Sequence, residues 1–83
     1  MKIKGIVTVI SYEKGIFYID TDQYKNGRSI IFRVQPTERE IIDFLYRRRG
    51  EIVSLEIENL RLITDTKRRF TVLYSGDVER LLN

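Results

Sequence analysis

The stretch that decides the fold is SIIFRVQPTEREIIDFLYRRRG, residues 29–50, because the spacing of its apolar residues changes halfway along. Its first six residues alternate and place Ile30, Phe32 and Val34 on one face, as in a strand buried on one side. From Ile41 onward the apolar residues follow a helical spacing and form a single stripe. The sequence therefore predicts a strand followed directly by an amphipathic helix.

Both ends of this helix carry sequence signals. Thr37 and Glu40 have the spacing of a capping box at its start. Gly50 is placed to adopt the left-handed conformation that ends a helix. The last turn holds three consecutive arginines, residues 47–49, where the helix dipole favours cations. We therefore predict a helix over about residues 37–49, and whether its arginines also bind a partner stays open.

Three strand-like segments precede the helix, and the last of them is residues 29–34. Residues 2–11 are rich in β-branched types, and Gly5 among them indicates a bend or a close backbone approach. A tight turn at residues 12–15 leads into a second strand at residues 16–20. Residues 21–28 are interpreted as a loop that contains an Asn-Gly turn signal.

Two further strands follow the helix. Val53, Leu55 and Ile57 alternate, and the phase then slips near Asn59. A bulge at Asn59 in one bent strand explains this slip, and so do two short strands. Residues 69–74 are predicted to form the last strand, after which Ser75 would cap a short C-terminal helix over residues 76–83.

The order of three strands, one helix and two strands is the connectivity of the OB-fold, an all-β, five-stranded Greek-key barrel. We therefore predict a single OB-like domain over residues 1–83, with the long helix between strands 3 and 4 closing one end of the barrel. A small Sm-like or SH3-like barrel is the alternative. Both usually lack a helix at this place in the chain.

The composition narrows the class of function. Histidine and cysteine are absent, which removes the commonest general base and the commonest metal ligands, and no glycine-rich phosphate loop is present. Asp20 and Asp22 lack a third ligand and are interpreted as turn residues. We therefore expect no enzyme, no metal and no cofactor.

The charge and hydropathy patterns bear on partners and location. The chain has 15 basic and 12 acidic residues, a net charge of +3 that is compatible with a nucleic-acid-binding protein. It has no apolar run that could span a bilayer and no signal-peptide pattern, so we expect a cytoplasmic protein. The abundance of Ile, Arg and Glu is typical of a thermophile.

Residues 5–34 resemble the cold-shock domain, an OB-fold family that binds single-stranded RNA and DNA. Gly5 and Val7 are followed, at the family's spacing, by the tripeptide Glu-Lys-Gly at 13–15 and by Ile19. Residues 29–34 align with the family's second nucleic-acid-binding strand. The resemblance implies that the outer face of the first three strands binds bases.

Most of the base-stacking positions that the resemblance implies do not carry an aromatic ring in this chain. They hold Val9, Ile16, Tyr18, Ile31 and Arg33, of which only Tyr18 is aromatic. Stacking contributes about 1–3 kcal/mol per base. The chain is therefore expected to bind more weakly than the family it resembles.

Our leading hypothesis from the sequence is binding of single-stranded RNA or DNA with low sequence specificity. Tyr18 would be the one stacking platform, next to Arg33 on the neighbouring strand. OB-folds use the loop before the last strand to hold the ligand, and this loop carries three consecutive cations here. The expected basic residues are Lys14, Arg33, Lys67, Arg68 and Arg69.

The alternative hypothesis is a protein-interaction module with the same fold. Val9, Ile16 and Ile31, together with Tyr18, would form an aliphatic patch that binds a protein partner or a second copy of the chain. Such a protein could be a small subunit, an inhibitor, or an accessory protein of a virus or plasmid. A salt-insensitive homodimer without oligonucleotide binding would favour this alternative.

Overall fold

The computed structural model describes residues 1–25, 27–64 and 71–82. Within them the chain forms five strands and one helix. Their order is β1 (Lys2–Ser11), β2 (Ile16–Lys25), β3 (Arg28–Val34), α1 (Arg39–Arg47), β4 (Ile52–Thr64) and β5 (Thr71–Leu81). The predicted position of the helix, between the third and fourth strands, is confirmed. No helix formed by the described residues is long and apolar enough to cross a membrane.

The five strands close into a barrel in the order β1-β2-β3-β5-β4, with β4 paired to β1. The neighbouring strands are antiparallel except β3 and β5, which run parallel. Parallel neighbours need a long crossover connection, and here α1 and β4 provide it. The architecture is a mostly-β closed barrel with one helix, compatible with an OB-like fold.

The barrel interior is filled by alternate side chains of the strands and by one face of α1. In β3, Phe32 and Val34 are buried while Ile31 and Arg33 turn outward, as the alternation predicts. The largest fully buried side chains also come from the other strands and from α1: Ile3, Phe17, Ile19, Leu45, Leu55 and Ile57. Each contributes about 1.5–3 kcal/mol by its burial, so this core dominates the stability of the fold.

Strands β1 and β2 approach each other closely at Gly5. A Cβ atom at this position would lie 2.5 Å from the backbone oxygen of Asp20. Real side chains do not tolerate such a distance, so any larger residue would push β1 away from β2. The close backbone approach predicted for Gly5 is therefore confirmed.

Strand β4 is one continuous strand that bends at Asn59. Asn59 has a positive φ of 57°, and the register with β5 shifts between Glu58 and Arg61. Asparagine tolerates the left-handed region better than most residues, and its side-chain amide donates a hydrogen bond of 2.9 Å to Asp77 Oδ2. The structure therefore supports the bulge rather than two short strands.

The prediction of a C-terminal helix is wrong, because β5 runs without a break to Leu81. The first half of β4 needs a hydrogen-bonding partner, and β5 supplies it by pairing Val78 with Ile57 and Leu81 with Leu55. Gly76 is a strand residue rather than part of a helix start. A Cβ atom there would meet side-chain atoms of Leu60 and Ile57 at 3.1 and 3.2 Å.

The helix also begins later than predicted. Its N-cap is Glu38, which has extended backbone angles and makes no side-chain capping hydrogen bond, so the predicted capping box of Thr37 is not formed. Pro36 is buried, and the two residues between it and α1, Thr37 and Glu38, are not helical. At the other end, Gly50 has a φ of 80°, as the predicted stop requires.

Strand β2 extends beyond its predicted end at Asp20. It continues to Lys25, with a shift in its register to β3 between Asp20 and Tyr24. The buried Thr21 holds this irregular segment, because its hydroxyl donates to the Ile30 oxygen at 2.8 Å. Residues 20 and 22 therefore lie on a strand, and their interpretation as turn residues is wrong.

Candidate nucleic-acid interface

A row of five cross-strand partners runs around the outer face of the barrel. Thr8 on β1 lies opposite Tyr18 on β2, and Tyr18 lies opposite Arg33 on β3. Arg33 lies opposite Ser75 on β5, and Ser75 lies opposite Arg61 on β4. We call these five residues the basic row. It contains one ring, two guanidinium groups and two hydroxyl groups on adjacent strands.

Tyr18 and Arg33 form the centre of this row. The side chains of directly opposite residues in an antiparallel pair lie on the same face, with Cβ atoms about 4.5–5.5 Å apart. Both side chains are half-buried between their neighbours. Their predicted placement on neighbouring strands, facing the same way, is confirmed. A ring beside a guanidinium is the smallest surface that can contact a base and a phosphate together.

Arg61 is a member of the row that the sequence hypothesis missed. It is exposed and lies opposite Ser75. In an unbroken strand Arg61 would share the inward phase of Ile57, but the bulge at Asn59 reverses the phase and turns Arg61 outward. The phase slip in the sequence was the available signal, since apolar Leu60 and Leu62 flank this arginine.

Lys14 lies in the turn between β1 and β2, near the C-terminal end of β3, where Arg33 is located. It is exposed in the β1–β2 turn, and its N–H group donates to Ser11 Oγ at 3.2 Å. The Gln35 side-chain amide donates to the Lys14 carbonyl oxygen at 3.1 Å. Because Gln35 follows Arg33 by two residues, this bond fixes the turn beside the end of β3. The exposed Lys14 thus lies in a turn that is joined to the chain two residues beyond Arg33.

The three loop cations, Lys67, Arg68 and Arg69, lie outside the residues that the structure describes. Their predicted role rests on the sequence alone.

The predicted aliphatic patch is only partly exposed. Ile16 is buried, with 9% of its surface accessible, so the prediction that it is exposed in this patch is wrong. Successive residues of a strand point to opposite faces, and both Ile16 and Phe17 are buried at the start of β2. Both faces of β2 are therefore covered at this end of the strand. Val9 lies opposite the buried Phe17 and packs against the core, so its predicted place on the outer face is also wrong. Ile31 is half-buried and faces outward, as predicted.

The helix arginines are partly engaged with their own helix. The Arg49 guanidinium lies 4.3 Å from the centre of the Tyr46 ring and donates to the Tyr46 oxygen at 2.8 Å. The Arg48 guanidinium lies 4.8 Å from the centre of the Phe44 ring. These contacts give both arginines a packing role at the C-terminal end of α1. Arg47 is exposed.

Two tyrosines join the β1–β2 turn to the helix. The Tyr12 and Tyr46 ring centres are 4.5 Å apart, and the Tyr12 hydroxyl donates to Asp43 Oδ1 at 2.9 Å. This hydrogen bond to a carboxylate stabilises the neutral phenol and raises the pKa of Tyr12 above its usual value. The contact holds the turn that carries Lys14 in place.

An acidic area bounds the basic row on strands β4 and β5. Glu58 lies opposite Asp77. A hydrogen bond with Glu79 and the negative charge of that residue raise the pKa of Glu58 above the usual range of a glutamate. The negative charge of these three carboxyl groups repels phosphate, so this part of the barrel is unfavourable for nucleic-acid binding.

Comparison with known proteins adds no assignment. The chain matches no protein-family model, and neither the curated proteins nor the solved structures show a significant similarity to it. The resemblance to the cold-shock domain therefore rests on the quoted motifs. What the structure adds to it is a small five-stranded barrel that is compatible with an OB-like fold.

Proposed function

We propose that this protein binds single-stranded nucleic acid, RNA or DNA, along the basic row and with little sequence preference. The observation that supports the proposal most is the register that places Tyr18 directly opposite Arg33. One base would stack on Tyr18. The phosphates on either side of it would approach Arg33 and Lys14.

The chemistry of the row explains the expected low specificity. Every base has a ring face that can stack on Tyr18, and a guanidinium group contacts any phosphate in the same way. Arg61 continues the cationic path on β4, beyond the hydroxyl of Ser75. The loop cations 67–69 follow β4 in the sequence and belong to the same proposal.

The direct test is fluorescence anisotropy of short labelled RNA and single-stranded DNA over a series of salt concentrations. We expect binding that weakens as salt rises, since each neutralised phosphate on a single strand changes log K by about 0.7 per log unit of salt. Arg33→Ala should weaken binding and flatten this slope. Arg80→Ala is the matched control, because Arg80 is an exposed strand arginine opposite Glu56 and outside the row. Absence of binding to every single-stranded oligonucleotide at low salt would refute the proposal.

A further inference from the structure

A second surface on the outside of the barrel has different chemistry. It is an open groove of about 470 Å³ across strands β1, β2 and β4. Gly5 and Thr21 also border it. Six outward-facing side chains line the groove: Lys4, Ile6, Asp20, Asp22, Tyr24 and Ile52. We call these six residues the outer groove.

The centre of the outer groove is apolar and exposed. Ile6 and Ile52 lie directly opposite each other on β1 and β4, and 45% and 55% of their surfaces are accessible. Tyr24 adds a ring that is 69% exposed. The barrel interior cannot take these side chains, because inward-facing neighbours such as Ile3 and Val53 already fill it. Adjacent exposed apolar side chains of this size are typical of an interaction surface.

The charges of the outer groove exclude a nucleic acid as its ligand. Asp20 and Asp22 carry two negative charges on the same face, and Lys4 carries the one positive charge among the lining residues. Phosphate groups would be repelled by this balance. The groove therefore fits a partner that offers apolar side chains together with charges of both signs.

A second copy of the same chain meets these requirements. In a twofold-symmetric interface each surface contacts its own image, so the surface must be complementary to itself. The outer groove has an apolar centre, with a cation contributed by β1 and carboxylates contributed by β2. Among the described residues, Lys4, Asp20 and Asp22 form no ion pair within the chain. All three charges are thus available to a partner.

We propose that the outer groove is the interface of a homodimer. Ile6 and Ile52 of one copy pack against the same two residues of the other copy. Lys4 of each copy pairs with Asp20 or Asp22 of the other. Because the axis is twofold, every such contact is made twice.

The first test is the association state of the full chain by sedimentation equilibrium over a range of concentrations. We expect a dimer for the unmodified protein. Ile52→Glu should raise its dissociation constant on the order of 100-fold or more, because it removes an apolar contact twice and places two like charges at the axis. The matched control is Ile63→Glu, which changes an isoleucine with 45% exposure on the same strand, outside the groove.

The second test exchanges the charges of the groove. Lys4→Asp makes the groove acidic, and the double variant Asp20→Lys with Asp22→Lys makes it basic. Each variant alone should be monomeric, since like charges face each other. An equimolar mixture of the two should form a heterodimer, which identifies Lys4 and the two aspartates as partners across the interface.

Three results would overturn the homodimer proposal. One is a monomer at all concentrations of the unmodified protein, in which case the groove would suit a mixed-charge apolar segment of another protein instead. Another is a dimer that Ile52→Glu leaves intact, because its interface would lie elsewhere. The third is failure of the two charge variants to associate when mixed. Far-UV circular dichroism and the urea midpoint would show that each variant is folded. Oligonucleotide binding is measured in a separate experiment, so that failure of the dimer proposal is distinguished from failure of the proposed function.

Discussion

The basic row and the outer groove lie side by side on the same barrel but differ in chemistry. On β1 and β2 the row holds the pair Thr8 and Tyr18, while the next outward pair, Ile6 and Asp20, belongs to the groove. A step of two residues along each strand thus replaces a ring and nearby cations with an aliphatic side chain and a carboxylate. Two surfaces of different chemistry can therefore share one small sheet, since only outward-facing residues differ between them.

The largest effect should come from a substitution that disturbs both surfaces at once. Gly5→Val places a branched side chain where even a Cβ atom would lie 2.5 Å from the Asp20 oxygen. We expect the free energy of unfolding to fall by about 1–3 kcal/mol or more, in the range of overpacking substitutions. Urea unfolding measures it, with Thr8→Val, an exposed change on the same strand, as the control. An unchanged midpoint for Gly5→Val would contradict the close approach of β1 and β2.

Two tyrosines on the same strand separate the two surfaces. Tyr18→Ala removes the stacking ring of the row and should weaken oligonucleotide binding by about 1–3 kcal/mol at all salt concentrations. Tyr24→Ala removes the ring of the outer groove and should leave oligonucleotide affinity unchanged while weakening dimerisation. Anisotropy and sedimentation equilibrium on both variants measure the two effects. Equal losses of oligonucleotide affinity would mean that the surfaces are not distinct.

A smaller effect is expected at the border between the surfaces. Asp20→Asn removes a negative charge from the outward position next to Tyr18 and should strengthen oligonucleotide binding at low salt by about 0.2–1 kcal/mol, the range for exposed charges. Asp22→Asn, one outward position further away, should have a weaker effect. High salt should abolish both effects by screening. A loss of affinity on either substitution would place the nucleic acid elsewhere.

The smallest effect concerns the acidic area that bounds the row. The raised pKa of Glu58 means that the folded state favours its protonated form. This contribution to stability is fully present below the ordinary glutamate pKa and is lost as pH rises through the raised value. Glu79→Gln removes the main cause, so the variant should be slightly more stable than the unmodified protein at neutral pH. Urea titrations at several pH values measure the difference, and a less stable variant at neutral pH would contradict this pairing.

The parts of the fold set by local sequence patterns were predictable. The change of period after Val34 placed the helix, and the phase slip at Asn59 indicated the bulge. The C-terminal segment was not predictable in this way. Val78 and Leu81 have a spacing that suits a helix, but their structure is decided by pairing with β4, more than 20 residues earlier.

In the candidate site too, features set by local sequence patterns were predictable and features set by strand pairing were not. Tyr18 and Arg33 follow from alternation within single strands, and the structure places them opposite each other. Ile16 was misassigned because both faces of β2 are covered at its first residues, which alternation within the strand does not indicate. Ile6 and Ile52 could not be recognised as a surface, since their pairing depends on the closure of the barrel between β1 and β4.

The most direct test of nucleic-acid binding by the basic row is the salt dependence of the double variant Arg33→Ala with Arg61→Ala. The slope of log affinity against log salt should be about 1.4 smaller than for the unmodified protein, because two phosphate contacts are lost at about 0.7 each. Both arginines face outward in the row, on either side of Ser75. An unchanged slope, with the variant folded, would contradict binding at the row.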